Sequence, residues 1–207
     1  MSRLRVLFWT SVVALVIWLP RGFALDRFVT ADEHAWLTPS GNFYRALSLG
    51  DYAGTFQRHH PGVTVTWAGT VGFLTTYPAY AQEAPREFGW LTEEIEPFLE
   101  EKGFAAIDLL AAGRSIVVIA TTLALVASFW LAVGLLGLRA ALIGIGLIGF
   151  APFHVGLSRL MHLDGLLSTF MLLSLLAFLV SLQAVRHRQH WMILSGAAAG
   201  LAWLTRS

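Results

Sequence analysis

Two adjacent carboxylates, Asp32 and Glu33, stand with His34 in the stretch TADEHAW, a few residues beyond the first long apolar run of the chain. A carboxylate held close to a membrane surface suits general-base duty, taking a proton from an incoming nucleophile. On a helix, neighbouring side chains diverge by about 100° and cannot share one proton as a facing dyad does. One carboxylate can therefore act while the other orients it or binds elsewhere. The same residues also read as a helix start, with Thr30 as cap and acids in the first turn complementing the dipole. Both readings are open at this point, and His34 has no assigned part.

Two further stretches carry chemistry-bearing side chains. In QRHHPGVTVTWAG, Arg58, His59 and His60 precede Pro61-Gly62 and an apolar helix start. Cationic or donating groups at a helix N-terminus beside a membrane make an anion pocket. Zinc is the competing chemistry, with His34, His59, His60, His154 and His162 as ligands. No pair has a ligand spacing such as H-x-x-x-H, so no metal site is expected. In SRLMHLDG, Arg159, His162 and Asp164 stand at a helix boundary. One reading is an interfacial anchor, an arginine that snorkels and an aspartate that caps the next helix. The other is an ionisable trio facing a cavity, because charge facing lipid is costly, with Arg159 as a phosphate ligand.

The elements that must hold these groups are apolar. Of 207 residues, 56% are hydrophobic and only 13% charged, with no cysteine. A soluble domain carries roughly twice that charge fraction. The apolar excess lies in long runs, which predicts an all-α polytopic membrane protein. Absent cysteine excludes disulfides and thiolate metal sites, and a net charge of +1 gives no reason to invoke nucleic acid.

The expected spans are Leu4–Pro20, Ser115–Leu136, Ala140–Leu157, Gly165–Gln183 and Trp191–Leu204. All thirteen acids but Asp164 fall between Asp26 and Asp108. Arg3, Arg5, Arg139, Arg186 and Arg188 flank the apolar runs. A cytoplasmic N-terminus puts all five arginines inside and the acidic segment 26–112 outside, as the positive-inside bias requires. Residues 1–25 then form the first span, 26–112 a large extracytoplasmic loop with short helices, and 113–207 four further spans.

The uncharged run Val63–Ala81 is nearly long enough to cross. Crossing would export Arg186 and Arg188, so a re-entrant or interfacial helix is expected. The N-terminal run, followed by Gly22-Phe23-Ala24, also has the look of a secretory signal, but Arg21 and the later spans favour a retained anchor. Thr92, with Glu93 and Glu94 behind it, is expected to cap a short helix in the acidic segment. GIGLIG (Gly144, Gly146, Gly149) matches a dinucleotide pattern without the strand and βαβ unit that pattern needs. These glycines, and Gly196 and Gly200, are expected to let helices approach closely.

TADEHAW, HHPGVTVTWAG, GLSRLMHLDGLLSTFMLLSLLAFL and GAAAGLAWLTRS occur here in one order. That order resembles the N-terminal half of bacterial glycosyltransferase family 39 proteins, relatives of the protein O-mannosyltransferases and the lipid A aminoarabinose transferases in the GT-C superfamily. The resemblance covers most of the chain except about Glu83–Ala112. It implies a GT-C-like helix bundle and transfer of a sugar, with inversion, from a polyprenyl-phosphate donor to an acceptor on the outer face of the membrane.

The resemblance further implies that Asp32 and Glu33 are the family's acidic pair, one of them the catalytic base. It places His59, His60 and Pro61 near the donor phosphate, and Arg159 and Asp164 at the outer end of a later span. The aminoarabinose transferases carry an acid and a lysine before a Pro-Pro pair, where this chain has Arg58-His59-His60-Pro61-Gly62. This departure falls where their donor and acceptor would be carried over. Family members have more spans, so the chain reads as an N-terminal portion that could be inactive alone.

The expected function is thus a membrane glycosyltransferase with Asp32 or Glu33 as base, His59, His60 and Arg159 at the donor phosphate, and Arg58, His162 and Asp164 as further site residues. Its expected partners are a lipid-linked sugar and a protein, lipid or glycan acceptor. No cofactor is called for, and a divalent metal is conceivable but not expected. The competing classes are a non-enzymatic transport or lipid-binding membrane protein and an assembly module.

Overall fold

The computed structural model of the chain describes residues 2–57, 62–89, 95–184 and 186–206, and of His34 only the backbone. The described elements are all helices: α1 (Arg3–Gly22), α2 (His34–Leu49), α3 (Val63–Thr76), α4 (Tyr80–Glu83), α5 (Glu96–Glu101), α6 (Ala106–Leu136), α7 (Leu138–Gly149), α8 (Pro152–Leu157), α9 (Leu163–Gln183) and α10 (Arg188–Arg206). Thr92, Glu93 and Glu94, expected to open a helix, lie outside the described residues.

Among the described residues, three helices are long and apolar enough to cross a membrane: α1 with 20 residues, α6 with 31 and α9 with 21. At about 1.5 Å per residue each reaches the roughly 30 Å of a hydrocarbon core. The expected span Ala140–Leu157 is two helices instead. Helix α7 has 12 residues, and Pro152 opens α8 at its first position. Proline is tolerated there because that N–H has no helical partner, but it cannot continue the preceding helix. At roughly 18 Å, α7 alone does not span. Helix α10 has 19 residues, with Arg188 and His190 in its first turn and Arg206 in its last, and is not among the three. The 14 residues of α3 likewise fall short of crossing.

The chain divides into two compact units. One comprises Met1–Phe23, Val118–Ser158 and Asp164–Trp203. Its apolar core joins Val13 and Ile17 of α1 to Leu125 and Phe129 of α6 and to Ala141 and Ile145 of α7. Trp130 Nε1 donates to Thr10 Oγ1 at 3.0 Å. Leu123, Ile143, Leu147, Met171, Leu175 and Leu182 are exposed. Such an outward apolar surface suits lipid rather than water.

A charge is nonetheless buried in this unit. Arg21, at the end of α1, is fully inaccessible. Its Nε donates to Ser158 Oγ at 2.7 Å, and Nη1 to the carbonyls of Ile17 at 2.8 Å and Gly149 at 3.0 Å. Nη2 lies 3.0 Å from Nδ1 of His154, whose Nε2 is 3.2 Å from Thr169 Oγ1. An arginine has donors only, so Nδ1 accepts and the proton of a neutral imidazole sits on Nε2. Among the described residues no carboxylate pairs with Arg21. Neutral oxygens and one imidazole satisfy the guanidinium, which keeps it tolerable in an apolar setting.

The other unit comprises Ala24–Val117, Arg159–Leu163 and Leu204–Ser207. Here α3 packs against α2 and the start of α6, burying Val65, Ala68, Gly69, Gly72 and Phe73. Close approach is made by Gly72: a Cβ there would lie 2.9 Å from both Gly113 N and Leu109 O. The expectation for Gly144, Gly146, Gly196 and Gly200 is corrected, since a Cβ at any of them would meet nothing within 4 Å. Those glycines lie on open faces, whereas the close contact falls on glycines of α3 and α6. Asn42 of α2 clamps the loop at Phe88, donating to its carbonyl at 2.9 Å and accepting from its N–H at 3.0 Å. Tyr44 OH donates to Pro78 O at 2.8 Å.

Candidate functional site

The turn before α2 separates the two adjacent carboxylates. Residues 31–33 form a turn closed by Glu33 N–H on Thr30 O at 3.1 Å, and Glu33 is the residue that precedes the first turn of α2. Thr30 does not cap the helix as expected. Its N–H and hydroxyl both donate to Glu33 Oε2, at 3.1 and 3.0 Å. The side chains of Asp32 and Glu33 then point apart: Asp32 is 74% exposed and Glu33 fully buried.

Glu33 meets a residue that pattern reading passed over. Arg114 of α6 donates Nε to Oε1 at 2.7 Å and Nη2 to Oε2 at 2.6 Å, a fork-to-fork pair that is itself almost fully buried. Arg114 also holds the carbonyls of Leu25 and Phe28, the latter at 2.6 Å. Met161 N–H adds a bond to Glu33 Oε1 at 3.0 Å. Five donors thus converge on one carboxylate, about the number its lone pairs can accept. Burial pushes the Glu33 carboxyl up, but the bonds from Arg114, Thr30 and Met161 outweigh it and hold the group below its ordinary 4.5. Glu33 is therefore an ionised anchor whose oxygens are already taken. A signal for Arg114 was present: with Asp108 it is one of two charges in the 31 residues of α6, and a charge inside an apolar helix must find a partner.

The Glu33 anchor gathers the motif stretches. Through Met161 it fixes the connection 159–163, which carries Arg159 and His162. His162 Nε2 lies 3.4 Å from Asp32 Oδ2, with the imidazole 19% exposed. Arg159 is half-buried, and its Nη2 donates to Ala24 O at 3.3 Å. Gly62 supplies the third stretch. Its φ of +48° belongs to the left-handed region, and a Cβ there would lie 2.3 Å from Trp36 Cη2 and 2.7 Å from Leu163 Cδ2. Only glycine fits that backbone and that space. Trp36 and Leu163, from the other two stretches, therefore both pack against Gly62.

Of the expected site residues, Asp32, Glu33, Arg159 and His162 belong to one unit, and Asp32 and His162 are in contact. Arg58, His59 and His60 lie outside the described residues, as does the side chain of His34. Asp164 belongs to the other unit, in the first turn of α9, where its carbonyl accepts from Ser168 Oγ at 2.7 Å. Among the described residues, no three His, Cys, Asp or Glu side chains are grouped to hold a metal ion.

Comparison with curated proteins and with solved structures gives no match. A family model does match, over residues 102–207, a stretch that contains Arg114, Arg159, His162 and Asp164 and leaves out Asp32 and Glu33. That stretch is just over half of the chain, and the chain belongs to the dolichyl-phosphate-mannose-protein mannosyltransferase family.

Proposed function

We propose that the chain carries the acceptor-activating site of a membrane glycosyltransferase that takes a sugar from a polyprenyl-phosphate donor, with Asp32 as the general base. The observation that carries this reading is the division of labour between neighbours. Asp32 is 74% exposed, whereas Glu33 is buried and occupied by Arg114, Thr30 and Met161. A base must reach its substrate, and only Asp32 is open to one.

In this reading an acceptor hydroxyl gives its proton to an Asp32 carboxylate oxygen as its own oxygen attacks the anomeric carbon. The bond from that carbon to the donor phosphate oxygen breaks, and the electron pair leaves with the phosphate. Attack from the face opposite the phosphate inverts the anomeric centre. Arg159, with His59 and His60, is assigned to the phosphate side, where a guanidinium suits the charge that develops there. The helices assemble as part of a GT-C-like bundle in which α7–α8 and α10 add to the three long spans. The N-terminus is cytoplasmic and Asp32 faces outside, in line with the arginines flanking the apolar runs.

The test is transfer of radiolabelled sugar from a polyprenyl-phosphate donor in membranes bearing the full chain. Asp32→Asn is expected to lower the rate by roughly 10²–10⁴-fold. Transfer at the unaltered rate would overturn the assignment and favour a transport or lipid-binding protein.

A further inference from the structure

We infer that His162 is a positioning residue for the base: its imidazole holds the Asp32 carboxylate in the orientation that takes the acceptor proton. This rests on the reading of Asp32 as base given above, and it adds a residue to which neither the acidic pair nor the phosphate side gives a part.

The geometry begins with register. Met161 N–H donates to Glu33 Oε1 at 3.0 Å, so residue 161 is pinned against residue 33. The next residue on one side is then brought against the preceding residue on the other, and His162 Nε2 stands 3.4 Å from Asp32 Oδ2. The pin is itself held on several sides: Glu33 is fully buried and gripped through two bonds by Arg114, and the same helix packs under Met161, where a Cβ on Gly113 would lie 2.7 Å from Met161 Sδ.

The two partners differ in how free they are. Asp32 is 74% exposed and, left to itself, would sample several rotamers in water. His162 is 19% exposed and sits on a connection fixed at the adjacent residue. The more restrained group therefore orients the more mobile one. With Oδ2 against His162, the acceptor proton is assigned to Oδ1. An imidazole can donate from Nε2 whether neutral or charged, so the contact is available before and after the proton is taken. His162 acts through Asp32 and needs no contact with substrate.

The experiment is steady-state kinetics on the full chain in proteoliposomes, with a polyprenyl-phosphate sugar as varied donor, comparing His162→Ala, His162→Gln, Asp32→Asn and the Asp32→Asn/His162→Ala double variant. The expected result for His162→Ala is a kcat lower by roughly 10–100-fold with the donor KM changed less than about 2-fold. Gln keeps an N–H donor and is expected to recover most of that loss. On the Asp32→Asn background, the alanine is expected to cost little more, because the two residues act as a unit.

The proposal is overturned by an unchanged kcat in His162→Ala, by a loss confined to KM, or by a full multiplicative loss in the double variant. A thermal midpoint measured on each variant guards against misfolding, and a His162→Gln variant as stable as the parent yet as slow as His162→Ala also counts against it. Should Asp32→Asn transfer sugar normally, the underlying assignment of the base fails. Should Asp32→Asn be inactive and His162→Ala fully active, only the positioning role fails.

Discussion

Arg114 and Glu33, 81 positions apart, meet through two parallel bonds of 2.7 and 2.6 Å with both side chains almost wholly out of contact with solvent. That pair joins the segment before α2 to α6 and, through Met161, to the connection before α9. Its value lies in geometry, because a buried pair offsets its own desolvation only when every oxygen and N–H is used.

Breaking the pair from one side leaves a buried charge. Glu33→Gln and Arg114→Met are each expected to destabilise the fold by about 3–5 kcal/mol. The Glu33→Gln/Arg114→Met double variant is expected to be less destabilised than the sum of the two. Thermal unfolding of detergent-solubilised protein measures all three.

The same carboxyl sets an acid limit. Its pKa is held below the ordinary 4.5, so the unfolded chain binds the proton more readily than the folded one. The stabilisation is therefore complete above about 4.5 and is lost as pH falls through the lower folded value. Thermal midpoints measured from pH 7 downward are expected to drop below about pH 4.5, and Glu33→Gln to remove that part of the drop.

Asp32 is expected to behave in the opposite way to its neighbour. Its substitution by Asn leaves the thermal midpoint close to the parent value, because the side chain is exposed. Sugar transfer is expected to fall all the same. Running both measurements on Asp32→Asn and Glu33→Gln separates a lost base from a lost anchor.

Gly62 tests how the motif stretches are held together. Gly62→Ala places a Cβ against the Trp36 and Leu163 side chains and imposes a left-handed backbone on an L-residue. A cost of about 2–4 kcal/mol is expected from the two effects together. Gly50, also at positive φ, has nothing within 4 Å of its would-be Cβ. Its alanine variant therefore bears the backbone cost alone and is expected to be milder.

Apolar run length made the helical class and the three longest helices legible from residues alone, since length and hydropathy are local properties. The break at Phe150–Ala151 was not read from the sequence, because continuous apolar character concealed the signal in Pro152. The convergence of Trp36, Gly62 and Leu163 was visible only as an order of motifs. Which of the adjacent carboxylates is anchored was not legible, because the answer depends on Arg114, a long-range partner that no spacing rule connects to residue 33. The glycine pattern of α7 misled, since repeats of small residues do not say which face meets a neighbour.

The Arg21 contacts carry a consequence for the time order of biogenesis. Its donors are satisfied by Gly149, His154 and Ser158, the last 137 positions further along. At about 5–20 residues per second of synthesis, the end of α1 must wait roughly 7–30 s before those acceptors emerge. During that interval the guanidinium has to stay with water, lipid phosphate or the insertion machinery, so α1 enters the bilayer before it can settle at its final depth. Arrested nascent chains ending before and after residue 158 are expected to differ in the depth at which a probe near Arg21 reports.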